Sequence, residues 1–265
     1  VNDNKVAAID GEGAPIPQPA GRLFETIKRA GPSSALGREI LWHSVIKTLF
    51  VLFTSFARVR VVFYHPLPKT GFILASNHVS HFDPPILTPF FPRQIDWIGM
   101  VELFHGKFLH GFFTGLNVIP VDRAGSDRAA LRTALKRLQA GRVVGIFPEG
   151  GIRDGAASIV NGGKMKEGVA LLASLSGVPI IPCVILGSDR LYNKRNWLPW
   201  RRVQICVGCG PAIHPPDDLS GEQKRRYIQS EFAAGIVRLK ERLCADFQLG
   251  DADMPHSPQQ RMMEP

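Results

Sequence analysis

Cysteine is scarce in this chain of 265 residues: Cys183, Cys206, Cys209 and Cys244 are the only four. Scattered so thinly, they cannot form the disulfide framework of a small secreted scaffold, and they read as reduced thiols of an intracellular compartment. Cys206 and Cys209 make a Cys-x-x-Cys within "VQICVGCGP". That run reads as a strand, on which residues three apart face opposite sides of a sheet. A second such pair, needed to complete a zinc site, is missing. Other signatures are missing too. "NGGKM" has Met165 where a P-loop needs Ser or Thr, and it lacks the earlier glycine. Neither a glycine-spaced dinucleotide fingerprint nor a Gly-x-Ser-x-Gly nucleophile elbow occurs. Internal repeats are also absent. Acidic residues are outnumbered, 23 against 32 Lys and Arg, for a net charge of +9. Such an excess suits an anionic partner: nucleic acid, acidic lipid headgroups or a phosphorylated substrate. The basic residues follow no aromatic-interleaved or helix-turn-helix pattern, which sets nucleic acid aside.

What is present is an alternation of strand and helix signals. Residues 1–20 carry no hydrophobic period and no apolar core after a basic start, so they read as a disordered tail and not a secretion signal. Residues 248–265 read as a second disordered tail. Between them, residues 58–247 form one α/β domain. Its strand-like runs are 58–64, 71–77, 94–100, 117–122, 142–147, 180–186 and 202–208. Helical patterns fall at 127–140, with Ser126 or Asp127 as cap and Gly141 as stop, at 166–176 before Gly177, and at 220–247. The last repeats Ile228, Phe232, Ile236, Leu239 and Leu243 at helical spacing. The expected architecture is a mixed, largely parallel sheet flanked by helices, with functional groups in the loops beyond the strand ends.

Residues 21–57 precede that domain. On a helical wheel for 40–57, Leu41, Trp42, Val45, Ile46, Leu49, Leu52, Phe53 and Phe56 share a broad face. His43, Ser44, Lys47, Thr48, Thr54 and Ser55 lie opposite. A lysine near the middle of a membrane span costs about 2.5 to 3.5 kcal/mol. A helix lying in the interface keeps Lys47 among headgroups, and the flanking Arg22, Lys28, Arg29, Arg38, Arg58 and Arg60 suit an anionic surface. The competing reading is an amphipathic helix packed on the protein's own core.

Two constellations carry chemistry. In "SNHVSHFDPP", residues 76–85, His78 follows a strand and Asp83 precedes Pro84 at the start of a short helix. Asp83 can be read as that helix's N-cap. It can also be read as the carboxylate that fixes the tautomer of His78 and makes it a general base. A third reading, a metal-dependent hydrolase built on His78, His81 and Asp83, has no standard ligand spacing behind it, and no metal is expected. In "GIFPEGGIRDG", residues 145–155, a strand runs into a glycine-rich turn with Glu149, Gly150 and Arg153. "NVIPVDR" ends a strand near Arg123. "KMKEG" sets Lys164 and Lys166 at a helix start, against the helix dipole unless an anion sits there.

In this order, "NHVSHFDPP", "GLNVIPVDR", "FPEGGIRDG" and "VPIIPCVI" resemble the four blocks of the glycerolipid acyltransferases, of which the lysophosphatidic acid acyltransferases are the best known. The blocks cover residues 76–185. The resemblance implies acyl transfer from acyl-CoA or acyl carrier protein to the free hydroxyl of a lysophospholipid, with no cofactor. The most apt acceptor is lysophosphatidic acid; another lyso-lipid or glycerol 3-phosphate is the alternative. It implies His78 as base with Asp83 orienting it, and Arg123 and Lys166 on the acceptor's phosphate. Glu149 and Gly150 fall in the acceptor-binding block, Glu149 reaching the glycerol portion, and N–H groups near His78 or Gly150 are candidates for the oxyanion. It further implies a bilayer partner, with residues 21–57 as docking helices on the cytoplasmic face of a membrane. Two departures stand out. "GGIRDG" replaces the Thr-Arg-Ser that often follows Phe-Pro-Glu-Gly, which leaves the role of Arg153 open. "GMVELF" lacks the basic residue often found before Glu-Leu-Phe.

Overall fold

A computed structural model describes residues 6–9, 15–16, 34–122, 127–198 and 202–264, with backbone alone for 6–9, 15–16 and 34–41. The strands are β1 (Val6–Ile9), β2 (Pro15–Ile16), β3 (Ala57–Phe63), β4 (Phe72–Ser76), β5 (Ile95–Met100), β6 (Ile119–Val121), β7 (Val143–Ile146), β8 (Ile180–Leu186) and β9 (Val203–Cys209). Among the described residues they form one sheet in the order β2-β1-β3-β9-β8-β4-β7-β5-β6. All neighbours pair in parallel except β1 with β2 and β8 with β9. The mixed, largely parallel sheet read from the alternating signals is therefore present, and each of the seven strand runs named from the sequence is a strand.

Buried strands alternate their side chains between two cores. Phe72 and Leu74 of β4 face α1 (Ser34–Phe56) and α2 (Asp83–Phe90), where they meet Phe53, Phe56, Ile86, Leu87 and Phe90. Ile73 and Ala75 face the opposite layer of α4 (Arg128–Gln139), α5 (Gly168–Ser176) and α6 (Gly221–Phe247). Helix α4 starts where Asp127 accepts the N–H groups of Ala129 and Ala130, and Gly141, at φ +76°, ends it in the left-handed conformation. On α6, Ile228, Phe232, Ile236, Leu239 and Leu243 are all buried. Cys206 and Cys209 enter opposite cores, as their spacing requires.

Three readings change. In α1, Phe53 and Phe56 are buried, and Leu49 and Phe50 lie against them, so this part of the helix packs on the protein's own core. Leu52, placed on the same face by the wheel, is instead exposed together with Val51. Residues 21–33 lie outside the described residues. Within the N-terminal stretch read as a tail, β1 and β2 extend the sheet beside β3. The C-terminal stretch read as a tail is ordered against the domain: a short 3-10 turn at Asp251–Asp253 and α7 (Pro258–Met263) bring Arg261 to a buried ion pair with Asp189. A two-residue strand and a polar tail give no hydrophobic period, so neither was visible in the pattern. No described helix is long and apolar enough to cross a membrane.

Candidate active site

The site lies beyond the C-terminal ends of β4, β7 and β8, where the sheet's parallel strands deliver their loops. Just past β4, Asn77 is fully buried and bridges to β8: its side-chain amide donates to Ile185 O (2.9 Å) and its Oδ1 accepts from Ile185 N (2.8 Å). This bond pair replaces a ladder step and fixes where the next residue, His78, leaves the sheet.

His78 is gripped at both its ring and its backbone by buried carboxylates. Its Nδ1 lies 2.8 Å from Asp83 Oδ2. The same oxygen accepts the N–H groups of Val79 (2.8 Å) and Ser80 (2.9 Å), while Oδ1 accepts from Ser188 Oγ at 2.5 Å. Asp83 is 0% exposed. The helix-cap reading of Asp83 is thereby overturned: Phe82 occupies the cap position of α2, and the carboxylate reaches back to the residues before the helix. A carboxylate that accepts from four donors has its lone pairs committed, so Nδ1 carries the imidazole's proton and Nε2 its lone pair. Nε2 makes no hydrogen bond among the described residues, and the His78 side chain is 14% exposed.

The second carboxylate is Glu149, just past β7. Its Oε2 accepts His78 N–H at 2.6 Å, and its Oε1 accepts Ser158 Oγ (2.8 Å) and Ile159 N–H (2.9 Å). Burial pushes the Glu149 carboxyl up, and the three donors pull it back. Glu149 is 3% exposed and both of its oxygens are engaged within the protein. Glu149 holds the backbone of His78. The loop completes its hold when Arg153 N–H donates to His78 O at 2.8 Å. The imidazole stacks on Phe147 (centroids 4.2 Å, planes 22°), and Phe147 stacks on Trp97 (4.9 Å, 4°). Trp97 in turn donates from Nε1 to Thr88 Oγ1 at 2.9 Å. Gly145 makes room for this column, since a Cβ there would stand 2.5 Å from the Trp97 ring.

The remaining expected residues are placed as follows. Gly150 adopts φ +68°, and the stem of Lys166 lies across it, 3.1 Å from where a Cβ would be. Lys166 is exposed, anchored through its N–H to Pro148 O (2.7 Å). The Arg153 guanidinium is exposed and donates to Ile152 O. Arg123 lies outside the described residues. In the neighbourhood named for the oxyanion, Gly150 N–H donates to Phe147 O and His78 N–H to Glu149. His81 turns away from Asp83: its ring Nδ1 lies 2.5 Å from Tyr192 Oη, which also accepts His81 N–H. Among the described residues no three His, Cys, Asp or Glu side chains converge to hold a metal ion. Ser188, Tyr192, Asn77 and the Phe147–Trp97 column escaped the sequence reading. Ser188 is 105 residues from Asp83 and Asn77 is 108 from Ile185, with no local signal to link them.

Known proteins resemble this chain in sequence and in fold. Residues 58–186 match the family model described as Acyltransferase. A 1-acyl-sn-glycerol-3-phosphate acyltransferase of Bacillus subtilis (strain 168) is 28% identical over 170 residues, 63% of this chain and 80% of that one. One of Helicobacter pylori (strain J99 / ATCC 700824) is 24% identical over 167 residues, 59% and 68% of the two chains. The fold matches the crystal structure of the 1-acyl-sn-glycerophosphate (LPA) acyltransferase, PlsC, from Thermotoga maritima, with a TM-score of 0.56 at 22% identity over 83% of this chain and 88% of that one. The names of both relatives are those of O-acyltransferases. Residues 58–186, just under half of the chain, are thus similar to the Acyltransferase family, and the fold is that of the PlsC structure.

Proposed function

We propose that the protein moves a fatty acyl group from the thioester of acyl-CoA or acyl carrier protein to the free hydroxyl of lysophosphatidic acid, giving phosphatidic acid. The observation that carries this reading is the His78–Asp83 contact of 2.8 Å, with Asp83 buried and the other imidazole nitrogen open. His78 Nε2 takes the proton of the acceptor hydroxyl as that oxygen attacks the thioester carbonyl. The tetrahedral intermediate collapses, the C–S bond breaks, and the departing thiolate takes the proton back from the imidazolium. Asp83 steadies the imidazolium. A thioester is already activated, so no covalent acyl-enzyme forms. Lys166, exposed beside Gly150, and Arg123 supply cations for the acceptor's phosphate, with Arg153 close to the same loop.

The substrate and product of this reaction reside in a bilayer, and we place the protein peripherally on a membrane's cytoplasmic face. Supporting this is the segment 101–115, where Val101, Leu103, Phe108 and Leu109 are exposed, Phe108 by 81%. Its helix, α3 (Lys107–Gly115), buries none of its residues and touches α1, whose Val51 and Leu52 are exposed as well. Lys107 among these apolar side chains suits an anionic headgroup layer.

The reading is tested by incubating the protein with lysophosphatidic acid and either long-chain acyl-CoA or acyl carrier protein, then detecting diacyl product by mass spectrometry. Phosphatidic acid from one donor supports it. Product only from another lyso-lipid or from glycerol 3-phosphate replaces the acceptor and keeps the chemistry.

A further inference from the structure

The 3-10 turn Ser188–Tyr192 leaves β8 through Gly187, at φ +90°, where a Cβ would stand 2.3 Å from Gln204 O. The turn has two sides. Ser188 and Tyr192 face the loop of His78, contacting Asp83 and His81. Asp189, Arg190 and Asn193, immediately after the turn, face residues 252–264. Asp189 Oδ2 accepts from Arg261 Nε at 2.6 Å and from His256 N–H at 2.9 Å. Arg190 donates to Ala252 O and Asp253, and Asn193 to Glu264 O at 3.0 Å. Arg261 is itself held by Met254 O and Glu264. Asp189 is 0% and Arg261 5% exposed.

This is an expensive arrangement if its purpose were only packing. A buried ion pair gives little net stability over apolar residues of the same volume, whereas loss of one partner leaves the other charge buried and uncompensated. What it does supply is a fixed geometry, because the planar Arg261 guanidinium spreads its donors over Asp189 Oδ2, Glu264 and Met254 O and so ties the Ser188–Tyr192 turn to residues 254–264 at one point. The residue adjacent to that carboxylate is Ser188, the sole donor to Asp83 Oδ1 among the described residues. We infer that residues 252–264 clamp the Ser188–Tyr192 turn through the Arg261–Asp189 pair and thereby set the orientation of Asp83 against His78. Arg261, Asp189 and Ser188 are positioning residues that act through Asp83. The inference rests on the reading of His78 as base only for its effect on rate.

The test is therefore structural first. Hydrogen exchange at the Val79 and Ser80 amides, which donate to Asp83, is compared in the 265-residue chain for wild type, Arg261→Met, Arg261→Lys and Ser188→Ala. Arg261→Met is expected to raise exchange at these two amides by about tenfold, leaving β4 and β8 amides at wild-type rates. Arg261→Lys, which keeps the charge, is expected to fall between. Ser188→Ala breaks only the last link and is expected to act in the same direction. In the acyl-transfer assay, kcat is expected to drop by about tenfold to a hundredfold with KM unchanged, since a displaced base loses rate and not affinity. If Arg261→Met does not fold, Arg261→Lys and Ser188→Ala decide the matter. Wild-type exchange at Val79 and Ser80 in the variants that fold overturns the clamp, as does acceleration spread equally over β4 and β8. Failure of the wild type to acylate lysophosphatidic acid would overturn the proposed acceptor while the exchange result still stands or falls alone.

Discussion

Residues 72–83 run from β4 into the loop of His78, residues 101–115 connect β5 to β6, and the two stretches meet opposite fates. In the first, every residue of β4 is buried, and the buried Asn77, Ser80 and Asp83 all find partners. In the second, Val101, Leu103, Phe104, Phe108, Leu109, Phe112 and Phe113 are apolar, yet none is buried. Hydrophobicity in the first stretch builds a core that fixes one imidazole. In the second it has no core to serve, and a contiguous exposed apolar surface of that kind marks a contact with something outside the chain. One protein thus separates the closely hydrogen-bonded surroundings of His78, proposed for chemistry, from an exposed apolar surface, proposed for docking.

Substitutions can break or sharpen this contrast. His78→Ala removes the base and is expected to lower acyl transfer by about 10³- to 10⁴-fold, read as diacyl product per unit time. Asp83→Asn follows at roughly 10²- to 10³-fold: an amide presents N–H groups to the donors of Val79, Ser80 or Ser188 and cannot accept from all of them. Glu149→Gln sets an N–H donor against either His78 N–H or Ser158 and Ile159. A fall in kcat of about 10- to 100-fold at constant KM for the acceptor is expected; a selective rise in that KM would assign Glu149 to acceptor binding.

Phe108→Asp attacks the other region. Burying a phenylalanine is worth about 1.5 to 3 kcal/mol, so binding to anionic vesicles in a sedimentation assay should weaken by roughly 10- to 100-fold. Turnover of detergent-dispersed substrate should be retained. The smallest effect is expected from Gly145→Ala, whose methyl group would collide with Trp97 beneath the His78–Phe147 column. A loss of about 1 to 3 kcal/mol in urea unfolding is the expected result.

The elements of the fold were legible because they follow periods the chain cannot hide. Strands buried on both faces read as apolar runs, and α6 repeats its buried residues every three or four positions. His78 and Asp83 were legible as a pair because five residues of loop bring them together. Glu149 was found, but its hold on the loop of His78 was not legible, since the donors that claim it include Ser158 and Ile159, nine and ten residues further on. The clamp was invisible for the same reason: Arg261 and Asp189 are 72 residues apart, and each looks like a surface charge in its own neighbourhood. Leu52 went to the wrong side because a helical wheel shows which residues share a face and not how far around the helix the protein's own core extends.

The central claim is that His78 acts as a base on the acceptor, with no acyl group passing through the protein. Rapid-quench measurement of thiol release from the acyl thioester, before any acceptor is added, tests it most directly. The account predicts background hydrolysis, followed by release in step with diacyl product once acceptor arrives. A burst of one equivalent of thiol per enzyme in the absence of acceptor would mean a covalent acyl-enzyme and would contradict it.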